Sequence, residues 1–348
     1  MHCTTVALKI RLVVATRGGV ACGGLPFRLT LAGTSGFCFR YVAAPVRHPV
    51  VLERKFNLGT RSVEVKQRIP WQLKFAAKLI LSRLPLDYHL WKKAGLFDLG
   101  GMERPEYALG IFRRHFNAAN FTRKSGDFTA LELGPGDSLF SGLIARTFGA
   151  SRTCLVDVGP FAATNLACYR KMESHLRDLG FEPPNLKDCS TFDELKTSCA
   201  VEYLTDGLAS LRQIPSSSID FTWSHAVLAH VRRDEFLPTL LELRRIQRPG
   251  GVSSHHTGFG GILGGGMNDL RFSERVWESS FMANSGFYTN RIHYEELLQL
   301  FQKAGFEPEI SRMSRFTTLP IPRRKMATEF AGLRDEDLQV SSVDVLLH

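Results

Sequence analysis

Apolar positions along the chain change their spacing three times. From Trp71, the residues Leu73, Ala76, Ile80 and Leu84 recur at helical intervals while Lys74, Lys78 and Arg83 lie off the stripe, and Pro85 ends the pattern. This predicts an amphipathic helix whose stripe packs over a core edge. A second helix is expected over Pro105 to Phe116, because proline suits a first helical turn. From Phe128 onward, short apolar runs alternate with helical periods, the pattern of a parallel sheet with crossover helices. Its first unit is a strand from Phe128 to Leu133, a turn Gly134-Pro135-Gly136-Asp137-Ser138, and a helix to Phe148 with Leu139, Leu143 and Ile144 inward. A second strand, Cys154 to Val158, carries Asp157 near its end. Further on, Phe236, Leu240, Leu243 and Ile246 form a helical stripe closed by Pro249-Gly250-Gly251. The helix from His293 to Ala304 turns Leu297, Leu298 and Phe301 inward and stops at Gly305.

These periods divide the chain into a basic, poorly ordered extension over 1–65, a helical cap over 66–120 and a main domain over 121–348. The long stretch 258–291 is an inserted substrate lid. The extension lacks a periodic apolar face and is read as dispensable, with a targeting segment or a start-site artefact as alternatives. Charge fits this division. The first 52 residues hold Lys9, Arg11, Arg17, Arg28, Arg40 and Arg47 and no acid, so they supply +6 of the formal +10. A basic tail without interleaved aromatics is not a nucleic-acid groove, which disfavours that partner. The basic helix at 72–84 could instead rest on an anionic membrane surface. An apolar content of 44% excludes a disordered chain, and no uninterrupted apolar run is long enough to span a bilayer. Seven cysteines without a C-x-x-C pair read as reduced thiols in a cytoplasmic setting, neither a disulfide framework nor a zinc site.

The chemistry concentrates at the first turn. Gly134 and Gly136 let a ligand approach the backbone, and Asp157 follows Gly136 by 21 residues, the spacing at which an acid grips ribose hydroxyls. The dinucleotide fingerprint would need a third glycine where Leu139 stands. Glu132, just before the turn, suits a ligand ammonium better than a pyrophosphate. A nucleoside ligand with an ammonium group and no phosphate is therefore expected.

Leu131-Glu132-Leu133-Gly134-Pro135-Gly136 resembles the first motif of class I S-adenosylmethionine-dependent methyltransferases. Asp157 matches the family's ribose-binding acid, and Asp206 in Tyr203-Leu204-Thr205-Asp206-Gly207 resembles the acid that approaches the adenine amino group. Ser218 to His225 resembles the fourth strand and its exit, and Arg248-Pro249-Gly250-Gly251 the turn entering the fifth. The resemblance implies an α/β, Rossmann-like, doubly wound seven-stranded sheet ending in an antiparallel hairpin, Glu309 to Phe316 with Val340 to Leu347. It implies S-adenosyl-L-methionine as cofactor, held by Glu132, Gly134, Pro135, Gly136, Asp157, Asp206 and Ser224. It also implies in-line methyl transfer to the oxygen or nitrogen of a small-molecule acceptor.

His225 and His230 are candidate bases, needed only for an alcohol or phenol; the plainer role for His230 is a hydrogen-bonded packing residue. His255, Tyr288, Asn290 and Arg291 are candidate acceptor contacts, Arg291 with Glu295 as its plainer partner. No metal is carried over: His255 and His256 point to opposite faces of a strand, and Ala229 stands where metal-binding relatives have Glu. The alternative function is a non-catalytic scaffold or assembly factor on the same fold. The acceptor and the oligomeric state stay open.

Overall fold

A computed structural model of the protein describes residues 71–81, 101–120, 128–261, 263, 266–286 and 288–348. The chain divides between Leu58 and Gly59, and every described residue belongs to the second part. The expected basic extension over 1–65 lies outside the described residues, as do 82–84 of the expected first helix.

Two helices precede the sheet, α1 (Trp71–Leu81) and α2 (Pro105–Ala118). The core elements then run β1 (Phe128–Leu133), α3 (Phe140–Thr147), β2 (Ala150–Val156), α4 (Leu166–Asp178), α5 (Phe192–Ser198), β3 (Val201–Leu204), α6 (Leu208–Gln213) and β4 (Ile219–His225). They continue as α7 (Arg233–Ile246), β5 (Gln247–Gly258), α8 (Tyr294–Lys303), β6 (Pro308–Arg315) and β7 (Val340–Leu347). The sheet order is β3-β2-β1-β4-β5-β7-β6, with β7 antiparallel to both neighbours and every other pair parallel. The chain thus winds outward from β1 in both directions, and the expected terminal hairpin is present.

Strand alternation builds two apolar layers. From β1, Phe128 and Ala130 enter the layer that α2, α3 and α4 cover, while Leu131 and Leu133 enter the layer under α7 and α8. Helix α2 is held by its aromatic face: Phe112 meets Trp223 edge-on at 5.2 Å and Phe148 at 5.1 Å. Asp157 falls one residue past the end of β2, which is shorter than its apolar run suggests.

Two local expectations are corrected. In α1 the stripe Leu73, Ala76 and Ile80 faces outward, Leu73 and Ile80 being 61% and 67% exposed, and the inward residues are Phe75 and Leu79. Phe75 stacks on Phe272 at 5.2 Å, so the packing of one aromatic ring selects the face. Arg248-Pro249-Gly250-Gly251 lies within β5 rather than before it. The register jumps from Ile219 opposite Gln247 to Phe221 opposite Val252, and Gly250 takes φ +74° to make that bulge.

Beyond β5, short helical turns at Asn268–Arg271, Glu274–Trp277 and Ser280–Ala283 form the inserted segment. Leu263, Trp277, Met282 and Tyr288 pack there as a small core of their own, closed on one side by Phe75 and Leu79 of α1. No helix among the described residues is long and apolar enough to cross a membrane.

Candidate functional site

The carboxyl edge of the sheet has two halves. On the β1–β2–β3 side, Gly134 and Gly136 both adopt positive φ, +73° and +68°, so the backbone reverses sharply between β1 and α3. A Cβ on Gly134 would lie 2.4 Å from Val227 Cγ2, so this glycine admits the segment leaving β4. The turn is fastened to its distant acid. Gly136 N–H donates to Asp157 Oδ2 at 3.1 Å, Val158 N–H donates to Oδ1 at 2.8 Å, and burial raises the Asp157 carboxyl above its ordinary value against those bonds. Gly207 N–H reaches Asp157 O at 2.8 Å, which brings the exposed Asp206 to the same corner. Beside it Val158 is 78% exposed, an apolar side chain with no apolar cover.

Glu132 occupies the layer beneath this turn. Ser141 donates to one carboxyl oxygen and Trp223 Nε1 to the other, the latter at 2.9 Å. Full burial raises its pKa to about 7 against those two bonds. Both oxygens are engaged by the protein, so Glu132 ties β1 to α3 and β4.

On the β4–β5 side, Ser224 and His255 sit on one face and bond each other, Ser224 Oγ to His255 Nδ1 at 2.8 Å. Both are fully buried, and burial holds the imidazole at about 3. Neither side chain reaches solvent in this structure. The opposite face carries His225 and His256, their rings stacked 4.6 Å apart. His225 Nδ1 lies 3.2 Å from His115 Nε2 on α2, and His115 Nδ1 lies 2.9 Å from Ser254 Oγ. Burial, then neighbouring His256 and Arg114, holds His225 at about 4; burial with His225 holds His115 at about 2. Arg114 and His256 both bond Asp344 of β7, which outweighs burial and keeps that carboxyl at about 2. Among the described residues, no group of three or more His, Cys, Asp or Glu is arranged to hold a metal ion.

His230 stands apart from both halves. It is exposed in a one-turn helix, Leu228–His230, with Nδ1 2.9 Å from the carbonyl of Tyr288. The 288–293 segment is knotted onto that turn: Asn290 Nδ2 donates to Leu228 O at 2.8 Å and Val231 O at 3.0 Å, and Tyr288 Oη donates to Glu278. Arg291 is buried between Trp277 and Phe330, its guanidinium carbon 5.2 and 4.8 Å from their centroids, and donates to Phe272 O at 2.6 Å. Its acid neighbour is Glu278 at 4.0 Å, not Glu295, which pairs with Arg334. Asn290 and Arg291 also line a small cavity with Asp269, Thr289 and His293 beyond the ends of β4 and β5.

The strand order, with the last strand reversed, decides the architecture. The fold is an α/β, Rossmann-like, doubly wound seven-stranded sheet, the architecture that the sequence resemblance implies. Among solved structures the chain is similar to an S-adenosylmethionine-dependent methyltransferase from Methanosarcina mazei, at 17% identity over 64% of this chain and 93% of that one, with a TM-score of 0.37. It is similar to geranyl diphosphate C-methyltransferase from Streptomyces coelicolor, at 16% identity over 70% and 80%, TM-score 0.39. It is similar too to the [4+2]-cyclase SpnF, at 14% identity over 70% and 80%, TM-score 0.39. No family model matches the sequence, and no curated protein matches it.

The sequence reading did not single out Arg114, His115, Val158, His256 or Asp344 as site residues. Only Val158 left a local signal, an apolar residue directly after the ribose acid.

Proposed function

We propose that this protein is an S-adenosylmethionine-dependent methyltransferase acting on a small-molecule acceptor. The observation that carries the reading is the bond from Gly136 N–H to Asp157, which joins the glycine turn and the acid at one corner of the parallel sheet. The residues present suit the donor. Asp157 keeps lone pairs for two ribose hydroxyls, Asp206 is exposed beside it, and the uncovered Val158 offers the apolar contact an adenine ring needs. Gly134, Pro135 and Gly136 line the turn.

When bound, S-adenosylmethionine supplies an already activated methyl group. The protein's task is then to hold an acceptor in line and exclude water, a positional contribution that can reach roughly 7 to 11 kcal/mol. In this reading the inserted segment does this, with Tyr288, Asn290 and Arg291 bracing it.

Calorimetry with S-adenosylhomocysteine tests the reading. Asp157→Ala should lose charge-assisted bonds of about 1.5 to 3 kcal/mol each, at least a tenfold drop in affinity. Unchanged affinity in a folded variant, or tighter binding of a nicotinamide dinucleotide by the wild type, would refute it. Labelled methyl donor incubated with cell extract and the protein then reports whether a product forms; a bound donor with no product would point to the scaffold role.

A further inference from the structure

Five side chains from four elements meet on the α2 face of the sheet, at the carboxyl ends of β4 and β5: Arg114 and His115, His225, His256, and Asp344. Asp344 Oδ1 lies 2.5 Å from His256 Nδ1. Arg114 grips the same carboxylate, Nε to Oδ2 at 3.1 Å and Nη2 to Oδ1 at 2.7 Å, across 230 positions of sequence. An ionised carboxylate can only accept, so His256 donates its Nδ1–H and carries its lone pair on Nε2. That is the arrangement in which a carboxylate orients an imidazole base and steadies the cation it becomes. The His256 side chain keeps 19% of its surface exposed.

His225 has the other part. Its Nδ1 is committed to His115, itself anchored on Ser254, and its ring lies flat against His256 with 19° between planes. It serves as a wall that fixes the plane of the His256 ring.

We propose that His256 is a catalytic residue whose Nε2 takes the proton of an alcohol or phenol acceptor, with Asp344 and Arg114 as positioning residues. The proposal rests on the methyltransferase reading and narrows it to O–H acceptors, since an amine attacks in its free form and needs no base. In the step, the acceptor's O–H bond breaks, its proton goes to His256 Nε2, and an oxygen electron pair forms the bond to the methyl carbon. The carbon–sulfur pair stays on sulfur as the neutral thioether, and the imidazolium later releases its proton to solvent. The titratable and charged groups facing His256 are Arg114 from α2, His225 from β4 and Asp344 from β7, with His115 behind His225.

The first test needs no donor and no acceptor. Nitrogen-15 NMR of histidine-labelled full-length protein should show His256 as a single Nδ1–H tautomer, and Asp344→Asn, whose amide can donate to Nδ1, should shift it to the Nε2–H form. Diethyl pyrocarbonate, which attacks an unprotonated ring nitrogen, should label His256 faster than His225 in the wild type and at least fivefold more slowly in Asp344→Asn. An Nε2–H tautomer in the wild type, or equal labelling rates in the two proteins, overturns the proposal. Should Asp344→Asn fail to fold, His256→Gln carries the test. It should bind S-adenosylhomocysteine within twofold of wild type while losing at least a hundredfold in kcat, with little change in KM, on any O–H acceptor recovered from extract. His256→Gly should regain turnover with added imidazole. Wild-type kcat in His256→Gln overturns the base assignment and leaves the donor site standing. Failure of the wild type to bind S-adenosylhomocysteine instead removes the methyltransferase reading, and the O–H assignment with it.

Discussion

The two halves of the sheet edge are built differently. The β1–β2–β3 half, which we read as the donor half, is assembled from consecutive pieces: the turn after β1, the acid after β2 and the acid after β3, each one strand-helix unit from the last. The β4–β5 half, which we read as the acceptor half, draws its side chains from α2, β4, β5 and β7, and separations of 31 to 230 residues close its contacts. The donor half is open and solvated, with Val158 and Asp206 exposed, whereas the acceptor half buries neutral imidazoles. A nucleoside needs fixed backbone geometry, which local sequence can encode; an acceptor pocket needs desolvated side chains, which only tertiary packing supplies.

The largest expected effect is acid instability originating in the buried histidines, three of them in the acceptor half and His293 at the start of α8. His115, His225, His255 and His293 are all held below their ordinary value by burial, to about 2, 4, 3 and 4. A depressed folded pKa favours the neutral ring, so this stability is fully present above pH 6.5. Below it the unfolded chain binds protons the folded one refuses, at about 1.4 kcal/mol per histidine per pH unit until the folded values are reached. Four such groups give a steep fall in melting temperature between pH 6.5 and 4. A melting temperature that stays level from pH 7 to 5 would mean these rings are solvated and the contrast between the halves is lost.

Arg291→Ala comes next. The side chain is sealed between two rings, and its loss removes the charge that offsets the buried Asp269, so a cost of about 3 to 5 kcal/mol is expected. Arg291→Lys should recover little, because an ammonium neither stacks between the rings nor keeps the guanidinium's fixed set of donors. In whatever fraction folds, affinity for S-adenosylhomocysteine should match wild type. A parallel drop in that affinity would show that the inserted segment and the donor half are one cooperative unit.

The same contrast explains what the sequence could show. The parallel alternation of strand and helix was legible because short apolar runs, helical stripes and the glycine turn are local signals, whereas the reversed terminal hairpin followed only from the family resemblance. Asp157 was legible because its distance from the turn is set by one crossover. The setting of Arg291, a candidate acceptor contact or a partner of Glu295 in the sequence, was not legible: the rings that enclose it come from positions 277 and 330, and no spacing rule links those to 291. His256 was passed over in favour of His255 because a strand gives alternate faces but not which face the α2 side chains will meet. The α1 stripe inverted for a similar reason, since Phe272 decides which side of that helix is inside.

The smallest expected effect tests whether Glu132 belongs to the donor half at all. Its position before the glycine turn suggests a partner for a ligand ammonium, yet Ser141 and Trp223 already occupy both of its oxygens in a buried layer. Glu132→Gln keeps a carbonyl for Trp223 and offers an amide to Ser141, so the packing survives. If Glu132 met the ammonium directly, the change would remove a charge-assisted contact of about 1.5 to 3 kcal/mol, ten- to a hundredfold in affinity. The geometry leads us to expect less than threefold. Stability supplies an independent reading. A folded pKa raised to about 7 contributes stability that is complete below the ordinary value of 4.5 and is lost as pH rises through 7. Glutamine has nothing to ionise, so the melting temperature of Glu132→Gln should gain on wild type between pH 5 and 8. A tenfold loss of S-adenosylhomocysteine affinity without that gain would return Glu132 to the ligand, whereas the gain with affinity intact makes it the buried brace between β1, α3 and β4.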